Sequence, residues 1–405
     1  MNTETTTASE PAIEILENVR RSGSDGTQIL QGLVDYYREQ QLPMELFETR
    51  KLLIRDRLGL PLVASDDQPL RSEELERQLE SGLLEACRES GEMLIRQERI
   101  LEGYTYLRPL GDNGLLRSLL SEVPITQDNC DEMQRVLLHE GVDVARGYQS
   151  VLDFQGTCNS ITIYDQFVSQ RGKADRQAAA NCLLDHFYRE LTSLVREDIM
   201  HRGKSPSDKS VSKDDSLFEL LEGRPWVLKE GGYHLDTTHL SAAVRIASVL
   251  TDPKQLRKAW ELTQYGRQLH HQFQYPGDEP FVDFYPAYAA FYGILLGENV
   301  EAGLKLFQRK AVSVDTYQYG TGALETYIDL LDRVGRPIEA IEFAVSHAPE
   351  DVPAATLVPQ LLEIAVRGRV AGDDSGFERI MDFCIDRKDL ISLAIAKHES
   401  ITSQS

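Results

Sequence analysis

Residues 183–200 read LLDHFYRELTSLVREDIM. Leu183, Phe187, Leu191 and Val195 stand four apart, with Leu194 beside the last of them. That spacing stacks side chains on one face of an α-helix, whereas a strand would need apolar residues at every second position. The stretch therefore predicts a long amphipathic helix ending near Met200. His186 lies on the apolar side of it, between Leu183 and Phe187, and reads as a core histidine with a local partner.

The same period extends outward in both directions. Upstream, Ile29, Leu33, Tyr36 and Tyr37 form a second stripe. Pro43 then opens a helix carrying Leu46, Leu53 and Leu58, which Gly59 closes. Residues 72–95 and 98–108 read as an adjacent helix pair, and a further helix follows Thr126 and stops at Gly141. Downstream, helices resume after Gly231 and Gly232. Asp252 and Pro253 give a cap followed by a proline in the first turn, and Pro286 and Pro337 open helices in the same way. Thr157 to Thr162 is the one place where a short extended piece fits. The expected fold class is all-α, built from antiparallel helix pairs.

Composition narrows the function classes. The chain has 405 residues, 41% hydrophobic and 27% charged, enough for two or three globular units or one long helical array. Lys and Arg total 43 against 65 Asp and Glu, a formal net charge of -22. Such a field repels phosphate backbones and anionic lipid headgroups, so neither nucleic acid nor a membrane surface is an expected partner. Arg96, Arg99 and Arg108 are the residues from which a local basic pocket could be built. No apolar run approaches the ~20 residues of a membrane helix. Met1 to Glu10 lacks the basic start and apolar segment of a signal peptide. Five scattered cysteines, with no CxxC pair, fit free thiols in a reducing compartment, and the expected location is cytoplasmic.

Residues 203–216, GKSPSDKSVSKDDS, contain Val211 as their single large apolar residue and cannot contribute to a core. They are the expected linker. The organisation read from the sequence is a disordered tail over 1–11, a helical lobe over 12–202, the linker, and a second helical lobe over 217–400.

Within that second lobe, Gly297-Glu298-Asn299-Val300-Glu301-Ala302 aligns with Gly335-Arg336-Pro337-Ile338-Glu339-Ala340 at an offset of 38 residues. Gln97 to Leu107 is a weaker third copy, with Gly103 as its small residue. The glycine permits a tight turn and the small residue lets the two helices of a pair approach closely. Glycine at the turn with alanine five positions on resembles the tetratricopeptide-type helical repeat. The likeness covers about a quarter of the chain. It departs in period, since the family's is ~34 residues, in the aromatic positions of the first helix, and in Pro349, which lies too close to Ala340. The resemblance implies an α-α superhelix with a concave surface that binds a protein or peptide, and it implies no catalytic residue. Any antiparallel helix pair selects glycine and alanine on similar grounds.

No phosphate-binding glycine loop, nucleophile elbow or HExxH motif occurs. Tyr233-His234-Leu235-Asp236-Thr237-Thr238-His239 places two imidazoles and a carboxylate across a loop-to-helix junction. His234, Asp236 and His239 suit Zn²⁺ or non-haem Fe²⁺, with His271 available as a further ligand. Asp236 is equally a helix-capping residue, and His239 a packing one. Cys158, just after Gly156 and near a helix start, has the setting of an activated thiolate, or of a small packing residue. Aromatic residues crowd 273–292. There Phe281, Tyr285, Tyr288 and Tyr292 are the candidates for lining a partner-binding groove, or for filling a seam between helices. The first expectation is a scaffold or adaptor that holds a protein or peptide on an aromatic concave surface, with no cofactor. The alternative is a helical enzyme with a Zn or Fe site between the lobes, using His234, Asp236, His239 and Cys158.

Overall fold

The computed structural model describes Glu17 and residues 25–63, 72–205, 210–350 and 352–402. The tail expected over residues 1–11 lies outside them, as do four residues of the expected linker. The described residues form helices and contain no strand. The chain divides into two compact units, Met1–Phe154 and Gln155–Ser405.

The first unit contains α1 (Gly26–Glu39), α2 (Pro43–Arg57), α3 (Glu73–Arg96), α4 (Ile100–Leu107), α5 (Asn113–Ser121) and α6 (Cys130–Gln134). A π turn over Arg135–His139 follows α6. Local chemistry sets the boundaries. Pro43 occupies the first turn of α2, where its missing N–H costs nothing. Ser72 caps α3 by accepting from the Leu75 N–H, and Glu73, Glu74 and Glu76 complement the positive end of that helix. Two clusters make the core. Val34, Leu46, Leu53 and Met93 join α1, α2 and α3. Ile95, Ile100, Leu107, Leu116, Leu120 and Met133 join α3 to α6.

Two helices, labelled together α7 (Val144–Gln166), meet at Gly156, whose φ of 79° and ψ of 177° are not helical. Residues 157–162, where an extended piece was expected, are helical.

The second unit contains α8 (Lys173–Arg202), α9 (Leu217–Leu221), α10 (Thr237–Ile246), α11 (Pro253–Gln268), α12 (Phe284–Leu295), α13 (Val300–Ser313), α14 (Thr316–Tyr319), α15 (Gly322–Arg333), α16 (Pro337–His347), α17 (Ala354–Val370), α18 (Ser375–Asp386) and α19 (Leu390–Thr402). The stripe on α8 is buried as its spacing requires, with Leu183, Phe187, Leu191 and Val195 packed against α9, α10 and α11. Each contributes ~1.5–3 kcal/mol by leaving water. Asp252 caps α11 through the N–H groups of Lys254 and Gln255. Among these helices lies one buried carboxylate, Glu261, which accepts from the Tyr188 hydroxyl (2.6 Å) and the Phe218 N–H (3.2 Å). Tyr188 in turn accepts from the Leu217 N–H (3.0 Å), so one polar chain ties α8, α9 and α11 together.

Residues 203–216 fall inside this second unit and do not divide the two units. Arg196 on α8 holds the last part of this segment, residues 212–215. It donates from Nε to the Ser212 carbonyl (3.1 Å) and from Nη2 to those of Lys213 (3.1 Å) and Asp215 (3.0 Å).

Neighbouring helices pair closely, and several pairs share one turn. A residue with positive φ sits just before the second helix: Gln41 ahead of α2, Glu98 ahead of α4, Gly335 ahead of α16 and Lys388 ahead of α19. In α4 and α16 the fourth residue of that second helix is small. A Cβ on Gly103 would stand 2.6 Å from Ile95 Cδ1, and Ala340 is fully buried. The α12–α13 pair corrects the sequence alignment by one position. Its turn has two positive-φ residues, Gly297 (79°) and Asn299 (51°), so α13 begins one residue later than the alignment places it. Ala302 is consequently exposed, and Gly303 occupies the close crossing, where a Cβ would stand 2.5 Å from Ile294 Cγ1.

Candidate functional site

Two clefts open on the second unit, and they adjoin at Phe281, which lines both. The first, about 560 Å³, has three walls. One face of α7 beyond Gly156 supplies Cys158, Ile161, Thr162 and Asp165. Helix α10 supplies Thr238, His239, Ser241 and Arg245, and the segment leading into α12 supplies Tyr275, Asp278, Glu279 and Phe281. Arg245 grips Asp165 through both Nη atoms (2.9 and 2.8 Å) and so fixes α10 against α7. Glu279 is held by Lys310 at 3.3 Å.

The second cleft, about 550 Å³, is lined by first helices of successive pairs. Phe291 comes from α12. Glu325, Asp329, Asp332 and Arg333 come from α15, and Thr356, Gln360, Glu363 and Arg367 from α17. These positions recur at three and four, so each helix turns one face to the cleft. Lys173 and Arg176, from the first turn of α8, complete the lining. Arg333 pairs with Asp329 and donates to the carbonyls of Ser248 and Leu250, stapling α15 to the α10–α11 turn. Arg367 pairs with Asp332 at 2.8 Å, joining α17 to α15. Lys173, Gln360 and Glu363 turn polar ends to the cleft with no partner among the described residues.

No known family, no curated protein and no solved structure matches this chain. The functional reading therefore rests on the placement of side chains.

That placement regroups the residues singled out in the sequence. Cys158, His239, Phe281 and Tyr288 meet in the first cleft. Cys158 is exposed there, in the first turn after the break at Gly156, and not packed away as its small size allowed. His234, Asp236 and His271 do not join them. The His234 ring is engaged on both sides, with Nδ1 2.9 Å from the Tyr265 hydroxyl and Nε2 3.2 Å from Asp198. Burial depresses its pKa below the usual imidazole value, against the opposing pull of the Asp198 carboxylate. Burial also opposes ionisation of Asp198, but its hydrogen bonds with Arg202 and His234 outweigh this and hold its pKa low. Asp236 caps α10, accepting from the Thr238 N–H (2.8 Å) and hydroxyl (2.6 Å), which lower its pKa. His271 lies exposed in a short 3₁₀ turn beside His270. Among the described residues no three His, Cys, Asp or Glu side chains gather closely enough to hold a metal ion. Of the two readings given to His234, Asp236 and His239, local capping accounts for Asp236 and a tyrosine–aspartate clamp engages His234.

The aromatic groove is corrected in the same way. Tyr285, Tyr288 and Tyr292 are 1%, 5% and 0% exposed. Tyr285 packs so tightly on α11 that a Cβ at Gly266 would stand 2.3 Å from its ring. The Tyr292 hydroxyl donates to the Val244 carbonyl. Burial pushes all three phenol pKa values up, so these rings are neutral core elements. Phe281 does reach the surface of both clefts, stacked on Tyr288 with centroids 3.9 Å apart. Sequence reading passed over Lys173, Arg176, Glu325, Gln360 and Glu363. Their helical spacing was the available signal, and it is the same signal an ordinary solvent face gives.

Proposed function

We propose that this chain is a helical-repeat scaffold of tetratricopeptide type, acting in the cytoplasm, whose second unit binds an extended segment of a protein partner. One observation carries the reading. The two adjoining clefts are lined by aligned faces of α7, α10, α12, α15 and α17, with an aromatic ring at their junction and unpaired groups of both signs along one of them. An extended backbone offers donors and acceptors throughout its length, and Lys173, Gln360 and Glu363 can satisfy them along α8 and α17 while Phe281 takes an apolar side chain. The five free cysteines fit the reducing compartment.

The test is a selection of displayed random peptides on the intact protein, with counter-selection on a variant whose second cleft is filled by Thr326→Trp and Gln360→Trp. Both positions are exposed or half-buried, so the fold tolerates the change. Peptides enriched on the wild type alone are expected. Failure to enrich any sequence, or enrichment unaffected by the filled cleft, would sink the proposal.

A further inference from the structure

We infer that the Lys173–Arg176 corner of the second cleft binds a dianionic phosphomonoester. Both side chains line that cleft, three residues apart and therefore on one face of the first turn of α8. Neither pairs with a carboxylate among the described residues, and Nε of Arg176 is buried with no hydrogen-bond partner. The nearby acids are engaged elsewhere or stand apart. Asp175, in the same turn, pairs with Arg171 at 2.8 Å. Across the cleft Asp329 pairs with Arg333, and Asp332 with Arg367. Glu325, which accepts from the Thr321 hydroxyl (2.5 Å), and Glu363 are exposed to water and form no ion pair with either cation. The turn from Arg171 to Arg176 is left with two uncompensated positive charges.

Three costs meet at this corner. Both cations stand at the positive end of the dipole of a 30-residue helix, whose cap residue Gly172 supplies no side chain. They repel one another across one turn. A guanidinium N–H shut away from water has no acceptor. Folding gains nothing from this arrangement, and an arriving oxyanion reverses the sign of all three. Positions that break a local electrostatic rule without a structural gain are characteristically functional. The amount of charge selects the class. A carboxylate brings one negative charge and leaves a cation over. A phosphomonoester brings about -1.5 to -2 near neutral pH, with three acceptor oxygens for the guanidinium, the ammonium and the hydroxyl of Thr251, which lines the same cleft. The net charge of -22 does not oppose this, because charges farther away than ~8 Å are screened at physiological ionic strength. The corner is also firmly held: Gln177 donates from Nε2 to the Val249 carbonyl (2.9 Å), fixing the start of α8 to the cleft wall. The inference goes beyond segment binding, since it assigns the chemistry of one subsite whether the phosphoryl group rides on a bound segment or arrives free.

The test offers the intact protein three peptide pools, randomised around a central phosphoserine, serine or aspartate, and separately offers O-phosphoserine and inorganic phosphate, followed by ³¹P NMR line broadening. A phosphoryl group carried on a segment should retain the phosphoserine pool about tenfold or more above the other two. A free phosphomonoester should broaden the ³¹P signal with no pool retained. In either case Lys173→Ala and Arg176→Gln should each weaken binding by about tenfold or more. Lys173→Glu places an acid at an exposed position that suits the dipole, so it should abolish binding while melting no lower than the wild type, which separates loss of the site from loss of the fold. Equal retention of all three pools, with no phosphate bound, would overturn this inference and leave segment binding standing. Phosphate bound at this corner with no pool retained would do the reverse. Phosphate binding indifferent to all three substitutions, or no response to phosphate in any arm, would also overturn it.

Discussion

The shift of α13 by one residue has a measurable consequence at two adjacent positions. Leucine at Ala302, an exposed site, should change stability by no more than about 0.5 kcal/mol. Leucine at Gly303 enters the contact with α12. Its Cβ alone would stand 2.5 and 2.7 Å from Cγ1 and Cδ1 of Ile294, which is 1% exposed. Carbon atoms in contact prefer about 3.5–4.0 Å, so α13 or Ile294 must retreat by about 1 Å before the rest of the side chain is placed. Replacing a helical glycine recovers roughly 0.8 kcal/mol of propensity. Overpacking a filled contact costs ~1–3 kcal/mol, and a whole isobutyl group belongs at the upper end. The net expectation is a loss of about 1–2 kcal/mol for Gly303→Leu. Urea unfolding followed by far-UV circular dichroism reads it, as the midpoint shift multiplied by the slope. The double variant Gly303→Leu with Ile294→Ala should be more stable than the sum of its parts by about 1 kcal/mol or more, because the added side chain enters the space the isoleucine leaves. Equal effects at 302 and 303, or a larger loss at 302, would refute this register and return the crossing to Ala302.

Two further outcomes follow from titratable groups. The folded-state pKa of His234 lies below 6.5 because burial disfavours the charged ring, so the contribution of this site to stability is complete above pH ~6.5 and declines as pH falls from there toward the folded value. NMR titration should find the ring still neutral below pH ~6.5, and His234→Phe should flatten that part of the stability profile. A folded-state pKa above the ordinary value would contradict the buried clamp. Among the thiols, Cys158 is exposed, while Cys130 and Cys384 are buried with pKa values raised by desolvation. Under native conditions a maleimide should modify Cys158 well before either of those, as read by peptide mass spectrometry, and early labelling of Cys384 would mean the α18–α19 end opens readily.

The helices were legible because spacing and capping are local signals. The stripe on α8, the Asp252 cap and the proline starts of α2 and α16 all depend on residues within a turn or two. What escaped depended on partners distant in sequence. Asn299 adopts a left-handed conformation, and that one residue moved a small-residue contact from 302 to 303. The tyrosines of α12 have the composition of a groove and the burial of a core, and only the packing of α11 and α10 against them separates the two. Asp198 clamps His234 from 36 residues away, which no motif spacing reveals. The clefts escaped for the opposite reason: their polar stripes on α15 and α17 look like any hydrated surface until several helices are assembled.

The passage from one compact unit to the next inside α7 limits how this protein can be taken apart. Proteases and recombination events separate modules most readily at exposed loops with few hydrogen bonds to lose. Here the border between Phe154 and Gln155 lies beside Gly156, whose backbone separates two helices with no loop between them. A cut between Phe154 and Gln155 trims the last turn of the helix before the break and leaves the helix after it intact. A second unit started at Gly156 therefore keeps the helix that carries Cys158 whole.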